Sequence, residues 1–85
     1  MIFYISILND RQRIRLKVER LEETNSFEKY RVTARNKSFV LQSNRPLLRG
    51  KGLKYKPVDW KVIEGVFDNR YFLQKIIKEI ESKEL

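Results

Sequence analysis

Five positively charged side chains and no acidic one lie between Asn44 and Pro57. Two prolines and two glycines interrupt this segment, a composition that argues against a regular helix or strand. A small domain seldom keeps so long a connection without a use. We therefore predict an exposed basic loop over residues 44–57 that holds an anion. Its cationic side chains are those of Arg45, Arg49, Lys51, Lys54 and Lys56.

An aromatic residue, Tyr55, lies inside this basic segment. A ring in such a place can stack on an exposed base, an interaction of about 1 to 3 kcal/mol per base. It can equally fold back onto the core, and both interpretations stay open. The glycines on either side of Lys51 would let main-chain amides approach a phosphate. However, the glycine spacing and the Lys-Ser/Thr ending of a nucleotide-hydrolase phosphate loop are missing.

Basic residues also alternate with apolar residues along two other stretches, 13–19 and 29–35. This period of two is typical of half-buried strands whose outward faces are basic. If the two strands pair, like charges lie opposite one another on one sheet face, and a bound anion would relieve their repulsion. A solvated face that discourages aggregation is the alternative explanation. The residues of this face are Arg13, Arg15, Lys17, Lys29, Arg31 and Arg35.

We expect the 44–57 segment to contribute more to anion binding, per charge, than the strand face. A loop that contains glycine can adapt to an irregular phosphate backbone, and arginine can bind phosphate through two parallel hydrogen bonds. Strands, by contrast, impose a fixed spacing on the side chains that they carry.

Catalytic chemistry has few candidates, because the chain contains neither cysteine nor histidine. The most frequent general base, the most common metal ligand and the thiol nucleophile are thereby excluded. The arrangement Asp59-Trp60-Lys61 resembles the D-x-K half of metal-dependent nucleases of the PD-(D/E)xK type. That resemblance implies that Asp59 holds Mg²⁺ and that Lys61 activates water, with Asp10 as the one candidate for the upstream acid. We expect no catalysis, no metal and no cofactor.

Composition limits the class of protein. The 85 residues are 41% hydrophobic and 35% charged, proportions that predict one folded globular domain rather than a disordered chain. A net charge of +8 favours nucleic acid or an anionic membrane surface as the partner. The absence of cysteine fits a reducing, cytoplasmic location. The apolar run at residues 2–8 is too short for a membrane span.

Periodicity predicts the elements that position these residues. The nearly continuous apolar run over residues 2–8 is typical of a strand with both faces covered, or of one that lies centrally in a sheet. A break in phase at Leu21 suggests a bulge or a strand end. A tight turn at Asn36-Lys37 predicts a hairpin. The predicted strands are about 2–8, 12–21, 28–35, 38–43 and 58–64.

The C-terminal segment, about 70–83, is predicted to be an amphipathic helix. Asp68 or Asn69 supplies the N-cap. Apolar residues then recur with helical spacing and form a single stripe. The stripe consists of Phe72, Leu73, Ile76, Ile77 and Ile80.

These elements predict an α+β domain over residues 1–85, a curved antiparallel sheet of about five strands with the helix packed on its apolar face. Their order resembles the sheet-plus-helix repeat of the Pur-alpha and Whirly families of single-strand-binding proteins. That resemblance concerns topology and by itself does not carry function.

Two functional hypotheses follow. The first is a non-catalytic domain that binds nucleic acid, single-stranded DNA or RNA, through phosphate contacts of low sequence specificity, because no recognition helix is evident. The second is a homodimeric interaction or assembly module. In that case the open sheet face or the edge of the 2–8 strand pairs with another chain, and the basic loop meets an acidic protein.

Overall fold

The computed structural model describes residues 1–35, 37–53, 55–67 and 69–83. These described residues form one sheet and two helices. The turn at Asn36, the cationic residue Lys54 and the N-cap candidate Asp68 lie outside the described residues. In chain order the elements are β1 (Ile2–Asn9), β2 (Gln12–Glu23), β3 (Glu28–Ala34), β4 (Lys37–Ser43), α1 (Arg45–Gly50), β5 (Trp60–Glu64) and α2 (Arg70–Ser82).

The five strands form an antiparallel sheet in the order β1-β2-β3-β4-β5. Short connections make this meander the simplest arrangement, because an antiparallel neighbour can be reached through a tight turn. The register of β2 on β3 shifts between Arg20 and Glu22, which confirms the bulge that the phase break predicted. We call the end where β1, β3 and β5 begin the near end. The far end carries the β1–β2 and β3–β4 turns.

One face of the sheet is covered by α2. Alternate residues of the first four strands enclose a core with the apolar stripe of the helix, as the two periodicities require. Asn69 caps α2, and its side-chain oxygen accepts a hydrogen bond from the main-chain N–H of Phe72 at 3.0 Å. The predicted α+β fold with a C-terminal helix is thus confirmed. The fully buried residues include Ile5, Leu16, Val18, Tyr30, Val32, Leu41, Ile76 and Ile80.

The predicted loop over 44–57 contains a short helix, which is a correction to the sequence interpretation. Pro46 lies in the first turn of α1, where its missing N–H breaks no helical hydrogen bond and its fixed φ favours the helix. Gly52, with φ +68°, follows the end of the helix and adopts a left-handed conformation suited to glycine. Proline and glycine, which usually interrupt helices, therefore mark the two ends of this six-residue helix.

The position of β1 also differs from the prediction. Its apolar run does not lie centrally but forms one edge of the sheet. Ile5 and Ile7 point into the core, whereas Ile2, Tyr4 and Leu8 are about half exposed on the other face. The alternation is hidden in the sequence because apolar residues occupy both sides of this strand.

None of the described helices has both the length and the apolar character needed to cross a membrane.

Candidate nucleic-acid interface

The sheet face opposite α2, which we call the open face, carries the basic residues of β2 and β3. The register places Lys17 opposite Thr33 and Glu19 opposite Arg31, so the predicted sharing of one face is confirmed. Towards the near end this charge is compensated. Arg31 lies 3.8 Å from the carboxylate of Glu19. Lys29 similarly lies 3.5 Å from that of Glu22, so both cations are already partnered.

Towards the far end the positive charge is uncompensated. Among the described residues, no carboxylate forms an ion pair with the cations that lie there. They surround two recesses of about 420 and 390 Å³, and none of the described residues that line either recess is acidic. We call this group the basic patch. It consists of Arg13, Arg15, Lys17 and Arg35, together with Lys37, which lies opposite Ala34 and, in phase with buried Phe39, on the other face of the sheet at its far end.

Arg35 belongs to the basic patch and directly follows β3. Its backbone φ is +54°, a left-handed conformation that ends β3 and begins the turn. Arg35 and Arg15 line both recesses, and two guanidinium groups beside one cavity favour the binding of a phosphate group. The apolar walls of the larger recess come from Ile14 and Ala34.

An aromatic ring borders the basic patch. The guanidinium of Arg15 lies 4.4 Å from the ring centroid of Tyr4, a cation–π contact, and Tyr4 is 48% exposed. The ring therefore offers a platform on which a base can stack. Sequence reasoning missed both Tyr4 and Lys37. The former is concealed within the apolar run of β1, and the latter was read only as a turn residue.

Arg45 is not part of an anion-binding loop, which corrects the prediction for this residue. Its side chain is 12% exposed and forms an ion pair with Glu28, whose side chain is 2% exposed. The guanidinium also donates a hydrogen bond to the hydroxyl of Tyr30 at 3.0 Å and lies 5.2 Å from the ring of Trp60. Arg45 thus fastens the start of α1 to the near end of the sheet.

Glu28 is the centre of a buried polar cluster that the sequence did not reveal. Its carboxylate accepts hydrogen bonds from Tyr30 at 2.7 Å, from Ser43 at 2.6 Å and from Arg45. Burial raises the pKa of Glu28, but the hydrogen bonds from Arg45, Ser43 and Tyr30 outweigh it, and the pKa is lowered overall. Burial raises the pKa of the Tyr30 hydroxyl, and its hydrogen bond to the negatively charged Glu28 raises this pKa further. The cluster is fully assembled within the chain and leaves Glu28 ionised at neutral pH.

The other described cations of the 44–57 segment and Tyr55 are exposed, as predicted, but they lie far from the basic patch. They follow Ser43 at the near end of β4, whereas Lys37 lies at the far end of the same strand. At about 3.4 Å per residue these ends are ~20 Å apart. The exposed residues of this second group, which we call the α1–β5 segment, are Arg49, Lys51, Tyr55 and Lys56.

The nuclease-like arrangement is not assembled. Asp59 and Lys61 are both exposed and form a surface ion pair at 3.6 Å. Asp10 lies in the turn at the far end of β1, whereas Asp59 precedes β5 at the near end of the opposite edge. Across the described part of the chain, acidic residues form no group of three that could hold a metal ion.

Comparison of the chain with known protein families, with curated proteins and with solved structures gave no match.

Proposed function

We propose that this protein is a non-catalytic nucleic-acid-binding domain that holds a single strand across the far end of the open face. The observation that supports the proposal most directly is the basic patch. Five cations converge around two recesses, and no acidic residue lines these recesses within the described chain. Such a site favours a polyanion over a single small anion, because neighbouring phosphates can each engage a different cation.

A single strand suits this surface better than a duplex. The exposed ring of Tyr4 lies beside the phosphate-binding cations, so a base could stack on the ring while its phosphate contacts Arg15. Bases in a duplex are already stacked on one another and are not available to such a ring. Contacts to phosphates carry no sequence information, and we therefore propose low sequence specificity. A reducing, cytoplasmic location belongs to the same proposal.

Fluorescence anisotropy with labelled oligonucleotides tests this function. The triple variant Arg13→Ala, Arg15→Ala and Arg35→Ala removes three exposed cations of the basic patch. The matched triple Arg49→Ala, Lys51→Ala and Lys56→Ala removes three exposed cations of the α1–β5 segment. We expect the first to weaken binding of a single strand at least tenfold, about 1.4 kcal/mol, and the second to weaken it less.

The two triples remove the same net charge, so a general electrostatic attraction would affect them equally. A larger loss of affinity in the triple variant of the α1–β5 segment would show that the binding site lies in that segment. No binding of DNA or RNA at low salt would contradict the proposal and leave an acidic protein as the partner of the basic patch.

A further inference from the structure

The edge of β1 has the properties of a strand-pairing surface. The main-chain N–H of Arg20 donates to the carbonyl of Met1 at 3.0 Å, which fixes the hydrogen-bonding phase of β1 on β2. In an antiparallel pair this phase alternates. The even-numbered residues of β1 therefore direct their N–H and C=O groups away from β2, towards the free edge. They are Ile2, Tyr4, Ser6 and Leu8.

This edge lacks the usual protection against pairing. Exposed edge strands commonly carry lysine, proline, a bulge or a covering element. The sequence of β1 contains no charged residue and no proline, and its pairing with β2 is free of register shifts. Within the described part of the chain only the far end is covered, where Lys75 of α2 donates a hydrogen bond to the carbonyl of Leu8 at 2.9 Å. The free part of the edge thus extends from Ile2 to Ser6.

We propose that this edge pairs with the same edge of a second copy of the chain. An antiparallel, two-fold pairing centred on Tyr4 places Ile2 opposite Ser6 of the second copy and Tyr4 opposite its own equivalent. The outward groups of these three residues then form six main-chain hydrogen bonds across the seam. The pairing joins two five-stranded sheets into one and does not use the carbonyl of Leu8.

The position of α2 leaves room for such a pairing. Helix α2 lies beside the far end of β1, at Leu8, and extends to the near end of β5, where Glu81 accepts a hydrogen bond from the indole of Trp60 at 3.0 Å. The near end of β1 is therefore left without a helix. Antiparallel pairing sets the helix-covered end of each strand beside the helix-free end of the other. It also covers a recess of about 260 Å³ between Ser6–Leu8 and the first half of α2.

Charge favours a second copy over an acidic partner at this edge. An acidic protein would be attracted to cations, and β1 carries none. Two copies bring uncharged residues of β1 together, with Lys75, Lys78 and Glu79 of α2 beside them, although their net charges of +8 repel one another at longer range. In the paired molecule both open faces point to the same side, because the two-fold axis is perpendicular to the sheet. The two basic patches then lie on one continuous surface.

Sedimentation velocity over about three decades of protein concentration tests the pairing. The apparent mass of the wild-type protein should rise towards twice the monomer mass as its concentration increases. Added salt should strengthen association, because it screens the repulsion between the two positively charged copies. Ser6→Pro removes one outward N–H from each copy, and thus two of the six hydrogen bonds of the seam, and leaves the β1–β2 hydrogen bonds intact. We expect it to weaken dimerisation at least tenfold, whereas Ser6→Ala, which keeps the N–H, should dimerise like wild type.

Tyr4→Lys provides a second variant in case the proline impairs folding. At the two-fold axis one substitution sets two ammonium groups opposite one another, so this variant should remain monomeric. A wild-type protein that stays monomeric at high salt would overturn the proposal and indicate that the edge serves a different protein strand. Dimerisation of Tyr4→Lys as tight as that of wild type would place the interface elsewhere. The readout is independent of nucleic acid, so it can fail while the proposed function holds.

Discussion

At the scale of single residues, two arginines four positions apart in α1 have different roles. Arg45 pairs with buried Glu28, whereas Arg49 is exposed. Removal of one partner from a buried ion pair leaves an uncompensated charge, which typically costs about 3 to 5 kcal/mol. We therefore predict that Arg45→Ala lowers the free energy of unfolding by about that amount, whereas Arg49→Ala changes it by less than about 0.5 kcal/mol. Urea denaturation of the two variants measures the difference, and equal effects would contradict the assignment of Arg45.

The same cluster predicts how stability depends on pH. The folded-state pKa of Glu28 is lowered from its usual value of 4.5, so the unfolded chain binds the proton more readily than the folded chain does. The stabilisation is complete above the usual pKa and is lost as the pH falls through the folded-state pKa. Glu28→Gln cannot titrate. The stability difference between wild type and this variant should shrink below pH 4.5, and a constant difference would show that Glu28 contributes no such dependence.

At the scale of the elements, Gly65 shapes the connection from β5 to α2. Its φ is +82°, and a Cβ there would lie 3.0 Å from the carbonyl oxygen of Ser38 and 3.1 Å from the Cβ of Phe39. Gly65→Ala should therefore destabilise the fold by about 1 to 3 kcal/mol, a fall in Tm of roughly 4 to 8 °C per kcal/mol.

Gly50 is the matched control because nothing lies within 4 Å of a Cβ at that position. Gly50 also ends α1, where alanine has the higher helix propensity. Gly50→Ala should leave Tm unchanged or raise it. A fall in Tm as large as that of Gly65→Ala would contradict the assignment of the effect to the close contacts and the positive φ of Gly65.

The elements could be predicted where periodicity is unambiguous. The alternation in β2 and β3 and the stripe of α2 identify these elements correctly, because each buries mainly one face. The predicted hairpin identifies β4, in which Phe39, Val40 and Leu41 are all buried. β1 was placed centrally in error, since apolar residues on its open face obscure the period of two. Helix α1 was missed because six residues carry too little periodicity, and its proline and glycine also occur in loops.

Periodicity also predicts part of the candidate site, namely which face of the sheet carries the basic residues. Alternation alone placed the basic residues of β2 and β3 on one face. Their ion pairs with acidic residues depend on the register of β2 on β3. That register shifts at a bulge, and the sequence does not specify which residues the shift brings together. The side chain of Arg45 binds Glu28 and Tyr30, which are 17 and 15 residues away in sequence, so its burial could not be read from the neighbouring prolines and glycines.

At the scale of the whole molecule, the basic patch and the α1–β5 segment are two separate groups of exposed cations. Because they lie at opposite ends of the sheet, one short phosphate chain cannot engage both. Oligonucleotides of increasing length therefore provide a measurement of site size. We expect affinity to reach a plateau at about 4 to 6 nucleotides if the basic patch acts alone, the lower end of the roughly 4 to 16 nucleotides that a single-strand-binding OB fold contacts. If affinity continues to rise with longer oligonucleotides, both groups of cations contribute to binding.

The central claim is that phosphates bind to the uncompensated cations of the basic patch, and the salt dependence of single-strand binding tests it most directly. Counterion release gives a log–log slope of about −0.7 for each phosphate neutralised, so four or five engaged cations predict roughly −3 to −3.5. The Arg13→Ala, Arg15→Ala and Arg35→Ala triple should flatten the slope by about 2. A wild-type slope flatter than about −1, or an unchanged slope in the triple variant, would contradict the account.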